Sequence, residues 1–299
     1  MIMQKTSYKH YRRRTGDRSD GRLLRSLSGF ELFIPYVMAQ RNDALNFFSE
    51  NVEITEADRW LRKQRVNGYK GMGFLHILIA AYIRAVAKYP AMNRFISGRH
   101  YYARNDIEVV MTVKKTMELG APETTIKLHF NPSDTIYDVY HKMNDSLSEV
   151  KGHSDDSDTE AFANALKKLP RPIFRLVIGI LKILDYFGWL KKEWMEVRPF
   201  HGSMVITDLG SLGIRPVFHH IYNFGNVPVF LAFGAKRKAY EVTRTGTVEQ
   251  RKYIDFNLTL DERICDGHYM ASAVKFFKTA VADPTMLEAP PEEVNEDVF

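Results

Sequence analysis

The clearest periodic pattern in the chain lies between residues 74 and 89, where apolar side chains recur every three or four positions. This spacing is typical of a helix that buries one broad face. The apolar positions are Phe74, Ile77, Leu78, Ala81, Tyr82, Ala85 and Val86. Pro90 cannot continue a helix and disfavours helical backbone at the residue before it. The pattern therefore predicts a long core helix that ends just before Pro90.

The segments on either side of this helix alternate more weakly. Residues 29–50 are predicted as an apolar entry followed by a polar helix, and VEITEAD as a short strand before a helix capped by Asp58. Downstream, HYYARNDIEVVMTVKK and APETTIKLHF are rich in β-formers and flank a turn at Gly120. Asp134 is then expected to cap another helix.

The last third of the chain is again rich in strand patterns. The segments are GSMVITDLGSLG, PVFLAFGAKRKAYEV and RKYIDFNLTL, and a final helix, YMASAVKFFKTAVADP, ends at Pro284. The element order is mixed and does not alternate strictly between strand and helix. The pattern therefore predicts an α/β or α+β domain, a sheet with helices packed on one face.

An apolar stretch runs from Ile173 to Leu190 and contains Arg175, Lys182 and Asp185 near one helical face. Membrane-spanning helices rarely tolerate three charges, so a helix packed within the protein or between subunits is favoured. A helix that lies on a membrane surface stays open as an alternative, and a membrane span is the least favoured of the three.

The composition is that of an ordinary globular protein, with 45% apolar and 26% charged residues. A single cysteine, Cys265, excludes an intramolecular disulfide and fits a reducing compartment, so we expect a cytoplasmic protein. The start of the chain lacks the apolar core of a signal peptide.

The net charge of +6 is unevenly distributed. Residues 1–28 hold eight Lys or Arg and two Asp, while the last 17 residues hold six acidic groups and no Lys or Arg. Proteins that bind single-stranded nucleic acid alternate aromatic and basic residues, and this basic segment lacks that pattern. We therefore predict a partly disordered arm and no nucleic-acid partner, with contact to an anionic membrane surface left open.

Three segments resemble one known family in their order and spacing. They are GSMVITDLGSLG, VPVFLAFGAKRK and FNLTLDERICDGHYMASAVKFFKTAVADP. Together they resemble the catalytic domain of dihydrolipoamide acyltransferases, the core subunits of 2-oxo acid dehydrogenase complexes, whose fold chloramphenicol acetyltransferase shares. The N-terminal half agrees more loosely, so the resemblance covers about residues 29–287.

This resemblance implies a two-layer sandwich of α/β (α+β) class with a large mixed sheet. It further implies a homotrimer with active sites between subunits, and acyl transfer between coenzyme A and a small acceptor or carrier, usually a thiol. Within the chain, we expect a basic arm (1–28), an acyltransferase-type domain (29–287) with an apolar helical insertion (170–194), and an acidic tail (288–299). No lipoyl domain or subunit-binding module is visible, so a free-standing domain without a lipoyl group is expected.

The family motif is His-x-x-x-Asp-Gly, and Asp266 and Gly267 match its end. In the family the His takes the proton of the attacking thiol and the Asp holds the site in shape, but here Glu262 occupies the His position. Thr207 matches the family's Ser or Thr, whose hydroxyl donates to the oxyanion. Asp208 replaces the usual Asn or Ser beside it, and its charge would hinder catalysis if it pointed inward.

Replacing His by Glu lowers the basicity of the site. Unperturbed Glu and His differ by roughly 2 pKa units, which corresponds to about 3 kcal/mol. Burial and a second carboxylate such as Asp266 would restore basicity, whereas an inward Arg263 would reduce it. Two hypotheses therefore stay open: an active acyltransferase, and a pseudoenzyme that acts as a trimeric scaffold or binding partner.

A nearby histidine is an alternative source of the missing imidazole. His219 and His220 lie in the segment after the DLGSLG turn, and His268 follows the motif directly. Cys265 is interpreted as a small packing residue.

Coenzyme A needs cations for its phosphates, and the basic patch Lys236, Arg237 and Lys238 is the candidate. An exposed basic turn explains the same residues equally well. No metal is expected, because no set of Cys, His or Asp shows ligand spacing.

Overall fold

The computed structural model describes residues 12–114, 123–152, 170–196 and 199–298, with the backbone alone at 114, 123 and 149–152. The predicted turn at Gly120 lies outside these residues. The helices are α1 (Gly29–Val37), α2 (Thr55–Val66), α3 (Phe74–Lys88), α4 (Ile136–Gly152), α5 (Arg171–Tyr186), α6 (Lys192–Glu196) and α7 (Gly267–Ala282). The strands are β1 (Gly21–Leu23), β2 (Leu45–Glu53), β3 (Arg94–Ser97), β4 (His100–Arg104), β5 (Ile107–Lys114), β6 (Glu123–Phe130), β7 (Met204–Asp208), β8 (Val229–Phe233), β9 (Arg237–Val242) and β10 (Val248–Asp261).

The strands form a large mixed sheet and a small antiparallel one. The large sheet has the order β2-β10-β8-β7-β5-β6, and β9 pairs with the first half of the long strand β10. Strand β7 runs parallel to both β5 and β8, whereas the other pairs of this sheet are antiparallel. The small sheet has the order β1-β4-β3. This architecture confirms the expected large mixed sheet with helices packed on it.

The main core lies between the large sheet and the helices α3 and α7. The apolar face of α3 is fully buried there, together with the inward side chains Met270, Val274 and Phe277 of α7. Helix α3 ends at Lys88, just before Pro90, as its periodicity predicts.

Three local predictions are wrong. A 3₁₀ turn over Arg41–Asp43 and strand β2 replace the polar helix expected before residue 50, because β2 pairs along its length with β10. Helix α2 begins at Thr55 after Ile54, so Asp58 lies inside its first turn and caps nothing. Before α4, Thr135 and Asp138 exchange the capping hydrogen bonds, and Asp134 instead binds Lys142.

Helix α5, the core of the expected 170–194 insertion, lies on the outside of the molecule. Only Leu181 and Asp185 of this helix are buried. Asp185 binds Arg18 at 3.0 Å and His201 at 3.0 Å, which ties the helix to the basic segment near the start of the chain. Across the described residues, no helix is both long and apolar enough to cross a bilayer.

Both ends of the described chain are packed against the domain. Arg18 is buried and β1 pairs with β4, so residues 12–28 contribute a strand and an ion pair to the fold. Near the other end, Asp297 is buried and binds Arg94 through two hydrogen bonds of 2.7 and 2.6 Å. The predicted boundaries at residues 28 and 288 stay predictions.

Candidate active site

Strand β7 presents Thr207 on the face of the sheet opposite to the helices. Met204 and Ile206 point into the core, and because side chains alternate along a strand, the half-buried Thr207 points the other way. The tight turn after the strand is fixed by packing, since a Cβ on Gly210 would lie 2.7 Å from the Gly234 carbonyl oxygen. The Thr207 hydroxyl therefore sits at a rigid strand end.

Asp208 is held by the turn that follows it. Its Oδ1 accepts a hydrogen bond from the Ser211 N–H at 3.0 Å, and its backbone carbonyl accepts one from the Ser211 hydroxyl at 3.1 Å. The carboxylate thus has a structural partner in the turn, which explains why Asp is accepted beside Thr207.

Glu262 stands directly after the end of β10, in a short 3₁₀ turn over Glu262–Ile264. Its backbone N–H donates to the Ala44 carbonyl at 2.8 Å, which fixes the main chain at this point. Its side chain is exposed and has no hydrogen-bond or ion-pair partner among the described residues. The carboxylate is therefore free to meet a substrate or a neighbouring subunit.

Arg263 turns away from its neighbour Glu262. Its guanidinium binds the buried carboxylate of Asp261 through Nε at 2.8 Å and Nη2 at 2.7 Å. The buried Arg41 binds the same carboxylate at 3.3 Å. The charge of Arg263 is thus balanced by Asp261, and the inward orientation that would weaken Glu262 as a base is not adopted.

Asp266 caps helix α7. Its side chain accepts a hydrogen bond from the Tyr269 N–H at 2.9 Å, the usual role of an N-cap Asp. The bond anchors the turn that carries Glu262 to the start of a buried helix. Within the described residues, no hydrogen bond links the Asp266 carboxylate to Glu262.

Cys265 is a packing residue. Burial raises the pKa of its thiol to about 12, and Sγ lies 4.0 Å from Sδ of Met92. A thiol with this pKa stays protonated at neutral pH and is a poor nucleophile.

Of the three histidines considered, His219 lies over the sheet face that carries Thr207. Its ring stacks on Phe230 with centroids 4.3 Å apart, and Phe230 pairs with Val205, two residues before Thr207 on the same face. Burial, with a smaller effect of His220, lowers the pKa of His219. His220 is exposed and packs edge-on against Tyr222, and His268 is exposed in the first turn of α7.

Thr207 and Glu262 do not meet within one chain. Thr207 is in register with Ala232 of β8, which pairs with Asn257 of β10. Glu262 follows Asn257 by five residues, which places it roughly 15 Å further along β10 and about 10 Å across the sheet. A site that uses both side chains therefore requires two copies of the chain.

A cavity of about 340 Å³ lies beside the turn after β7. It opens between this turn and the N-terminal end of α3, where the helix dipole places a partial positive charge. Its lining includes Arg65, Gly71, Gly73, Phe74, His76, Asp208, Gly210, Ser211, Gly234 and Lys236. Arg65, Lys236, the glycine backbone and a helix N-terminus together suit an anionic group on a flexible ligand, while the lining carboxylate of Asp208 already accepts the Ser211 N–H.

The three residues of the predicted basic patch, Lys236, Arg237 and Lys238, do not lie at one site in the structure. Lys236 lines the cavity, where its ammonium lies 4.7 Å from the centre of the Phe74 ring and binds Asp58 at 2.6 Å. Burial opposes ionisation of Asp58, but hydrogen bonds from Lys236 and Lys252 outweigh it and lower the pKa of Asp58 to about 2. Lys236 is thereby held in place at the cavity edge.

The other two residues of the patch lie on β9 and do not line the cavity. Arg237 binds Asp255 at 2.9 Å, and Lys238 is exposed.

The cavity residues of the first half of the chain were not predicted from the sequence. Arg65, Gly71, Gly73 and His76 come from the α2–α3 connection, and the signal was the glycine-rich segment GYKGMG before a helix. His76 accepts the Gly73 N–H at Nδ1, and burial lowers its pKa to about 4, so its ring is neutral at physiological pH.

One group in the described part of the chain has metal-ligand geometry: Asp106, Glu108 and His129, whose ligand atoms lie within 4.8 Å of one another. Each already has a charged partner, since Lys192 binds Asp106, Arg104 and Lys127 bind Glu108, and Glu196 binds His129. The surrounding cations disfavour a metal ion, and the expectation of no metal stays a prediction.

Comparison with known proteins identifies the fold. Residues 195–289 match the sequence model of the family "2-oxoacid dehydrogenases acyltransferase (catalytic domain)". A search of curated protein sequences finds no match.

Among solved structures, the dihydrolipoamide acetyltransferase of Azotobacter vinelandii is 14% identical, with a TM-score of 0.57 over 86% of this chain and 88% of its own. That structure was studied for the roles of a serine, a histidine and an asparagine in catalysis. A probable dihydrolipoamide acetyltransferase of Listeria monocytogenes is 13% identical, with a TM-score of 0.53 over 86% of this chain and 93% of its own. A chloramphenicol acetyltransferase is 14% identical, with a TM-score of 0.52 over 88% of this chain and 98% of its own.

These likenesses confirm the resemblance suggested by the sequence motifs. The chain has the fold of dihydrolipoamide acetyltransferases and chloramphenicol acetyltransferase, and its residues 195–289 carry the sequence pattern of the 2-oxoacid dehydrogenase acyltransferase catalytic domain.

Proposed function

We propose that this chain is a coenzyme A-dependent acyltransferase of the dihydrolipoamide acyltransferase type, active in the cytoplasm as a homotrimer with its sites between subunits. The observation that carries the proposal is the cavity between the N-terminal end of α3 and the turn after β7. Arg65, Lys236 and the helix N-terminus suit the phosphates of coenzyme A. Because Asp208 and Gly210 line the same cavity, a flexible thioester bound there would pass the end of β7 to reach Thr207 on the opposite face of the sheet.

The proposed reaction uses a base and the Thr207 hydroxyl. A base accepts the proton of the acceptor thiol, and the resulting thiolate attacks the carbonyl carbon of the acyl thioester. The Thr207 hydroxyl donates a hydrogen bond to the oxyanion that forms. The carbon–sulfur bond to coenzyme A then breaks, and the coenzyme A thiolate takes back the proton from the base.

Glu262 of a second subunit is the proposed base. The backbone of Glu262 is fixed, its carboxylate is free, and it lies far from Thr207 of the same chain. These features fit a residue that one subunit supplies to the active site of its neighbour. A subunit packed over Glu262 would remove water from the carboxylate, and desolvation makes a carboxylate a stronger base. Asp266 organises this turn by capping α7, and His219 is the alternative base because it lies over the face that carries Thr207.

The test is an acyl-transfer assay with the purified chain, several acyl-coenzyme A esters and small thiol acceptors, in which release of the coenzyme A thiol is followed. We expect Glu262→Gln to lower kcat by about 10²- to 10⁴-fold, the usual contribution of a general base. Glu193→Gln, which removes an exposed carboxylate far from the motif in sequence, is the matched control and should retain activity.

Glu262→His distinguishes the active enzyme from the pseudoenzyme. If the wild-type chain is silent with every ester while Glu262→His gains activity, the chain is a scaffold or binding partner that lost its base. Loss of activity in a His219→Ala variant, with Glu262→Gln unaffected, would move the role of base to His219.

Contact with a membrane surface is a second prediction. Its basis is the row of exposed apolar side chains on and after α5, including Leu176, Ile183 and Trp189, beside the basic residues Arg171 and Arg175. Co-sedimentation with vesicles that contain phosphatidylglycerol tests it, and a protein that stays in the supernatant excludes this contact.

A further inference from the structure

A second cavity, also of about 340 Å³, lies beneath α5 and takes no part in the proposed acyl transfer. Its walls come from the end of α1, the β3–β4 turn, the C-terminal end of α5 and the loop 223–225. Its size falls within the range of small-molecule sites. We call it the α5 cavity.

Cations dominate the polar lining of the α5 cavity. Arg41, Arg99, Lys182 and Arg263 line it, against the single carboxylate of Asp185. That carboxylate is already bound by Arg18 at 3.0 Å and by His201 at 3.0 Å. The lining therefore has an excess of positive charge.

The two buried arginines share one counter-charge. Arg41 and Arg263 both bind Asp261, which leaves one positive charge of the three groups unbalanced. Burial lowers the pKa of the Arg41 guanidinium, and the proximity of Arg263 adds to this effect. When positive charges lie in walls of low dielectric constant, the electrostatic potential in the cavity between them becomes strongly positive, and such a cavity attracts anions.

The other two cations have no carboxylate partner within the described residues. Lys182 is exposed on α5, and the exposed Arg99 lies over the Tyr36 ring, 5.0 Å from its centre. Their donors are therefore available to a ligand.

The backbone holds the position of Arg99. Gly98 and Arg99 have φ of 56° and 62° and join Ser97 to its pairing partner His100, the geometry of a two-residue type I′ hairpin. A Cβ on Gly98 would lie 2.4 Å from the Tyr186 carbonyl oxygen, so the end of α5 rests directly on this turn. The close approach sets the spacing between the walls that carry Arg99 and Lys182.

The rest of the lining is apolar. Pro35, Ile96, Tyr186 and Phe224 line the same cavity. A fully hydrated inorganic ion would make no favourable contact with these apolar side chains. A ligand with an anionic head group and a short hydrocarbon chain would contact both the cations and the apolar side chains of the lining.

We propose that the α5 cavity binds a small amphiphilic anion, a carboxylate or phosphate carried on a short apolar chain. Arg99 and Lys182 bind the head group, and the apolar wall receives the chain. This site does not depend on whether the protein transfers acyl groups.

Isothermal titration of the full chain with octanoate and octyl phosphate, with octanol as the neutral probe, tests the proposal. We expect both anions to bind and octanol to bind at least about tenfold more weakly, with a loss of affinity as salt rises. Tighter binding of octanoate identifies a fatty carboxylate as the ligand class, and tighter binding of octyl phosphate identifies a phosphate. Either order supports the site.

Two charge reversals on one helix complete the test. Lys182→Glu should weaken octanoate and octyl phosphate by about tenfold or more. Arg175→Glu makes the same charge change on the exposed surface of α5 outside the cavity, and should leave both affinities within about twofold. Absence of binding, equal binding of octanol, or equal loss in both variants would overturn the proposal. Thermal melting of each variant checks that it is folded.

Discussion

At the scale of the residue, the groups around Glu262 have definite structural roles. Asp266 caps α7, and Arg263 is bound to Asp261 instead of facing the carboxylate. The motif places Glu262 four residues before Asp266, and its role as a base stays a prediction. The orientation of Arg263 could not be predicted from the sequence, because it depends on Asp261 and on Arg41, which is 220 residues away from Asp261 along the chain.

Thr207 gives the first residue-scale prediction. We expect Thr207→Ala to lower kcat by about 10²- to 10³-fold, because it removes one oxyanion donor, while KM changes little. Thr207→Ser keeps the hydroxyl and should retain most of the activity. Steady-state kinetics of both variants, with thermal melting as a check on folding, measures the effect. An alanine variant with wild-type kcat would remove the oxyanion role of Thr207.

At the scale of the element, the proposed anion site at the N-terminal end of α3 includes Lys236, which Asp58 holds at the edge of the cavity. We expect Lys236→Ala to raise KM for acyl-coenzyme A by about tenfold with little change in kcat, since a phosphate contact is made equally in ground and transition states. Lys238→Ala removes a neighbouring exposed lysine outside the cavity and should leave KM unchanged.

Dephospho-coenzyme A esters sharpen this measurement. If Lys236 binds the 3′-phosphate, the Lys236→Ala effect should vanish with these esters. If the effect persists, Lys236 acts on the pyrophosphate or not on the ligand at all, and fluorescence titration with coenzyme A alone separates these two outcomes.

Helix α5 is held to the body of the protein by a buried charge. Burial opposes ionisation of Asp185, but hydrogen bonds and charge from His201 and Arg18 outweigh it and lower its pKa to about 2. We expect Asp185→Asn to lower the free energy of unfolding at pH 7 by about 3 kcal/mol, the cost of leaving a buried partner unpaired.

The pH dependence of this effect has a definite sign. Because the folded-state pKa of Asp185 is below the unfolded value, its contribution is complete above about pH 4 and is lost as pH falls towards 2. Urea unfolding of wild type and Asp185→Asn should therefore show a difference at pH 7 that shrinks at about pH 2.5. A difference that stays constant between these two pH values would contradict the ionic role of Asp185.

At the scale of the whole molecule, the separation of Thr207 and Glu262 predicts complementation between inactive chains. Thr207→Ala and Glu262→Gln, each inactive alone, should give about one quarter of wild-type activity when co-assembled in equal amounts. In that mixture one interface in four pairs an intact Thr207 with an intact Glu262.

The same experiment tests the assembly itself. Sedimentation should give the mass of three chains, and a chain that carries both substitutions must not be rescued by either single variant. Activity that stays at background in the mixed assembly, while the trimer forms, would place the complete site within one subunit.

The sequence predicted the architecture better than the site. Periodicity located α3, and three motifs identified the fold and the strand that carries Thr207. Residues 45–50 of β2 were predicted as a helix because the pairing of β2 with β10, and not its own pattern, decides its structure. The cavity beside β7 joins residues from the α2–α3 connection to residues after β7 and β8, a proximity that only the folded sheet creates.

The ion pair between Arg94 and Asp297 has a consequence for how the chain is made. Its two residues are 203 positions apart, and on the ribosome this distance corresponds to roughly 10 to 40 seconds of synthesis. Throughout that time the guanidinium at the start of β3 has the half-exposed Glu31 but lacks its buried partner Asp297. The small sheet is therefore expected to complete its packing late in translation. A nascent chain paused before residue 297 would leave Arg94 and the residues around it exposed to chaperones.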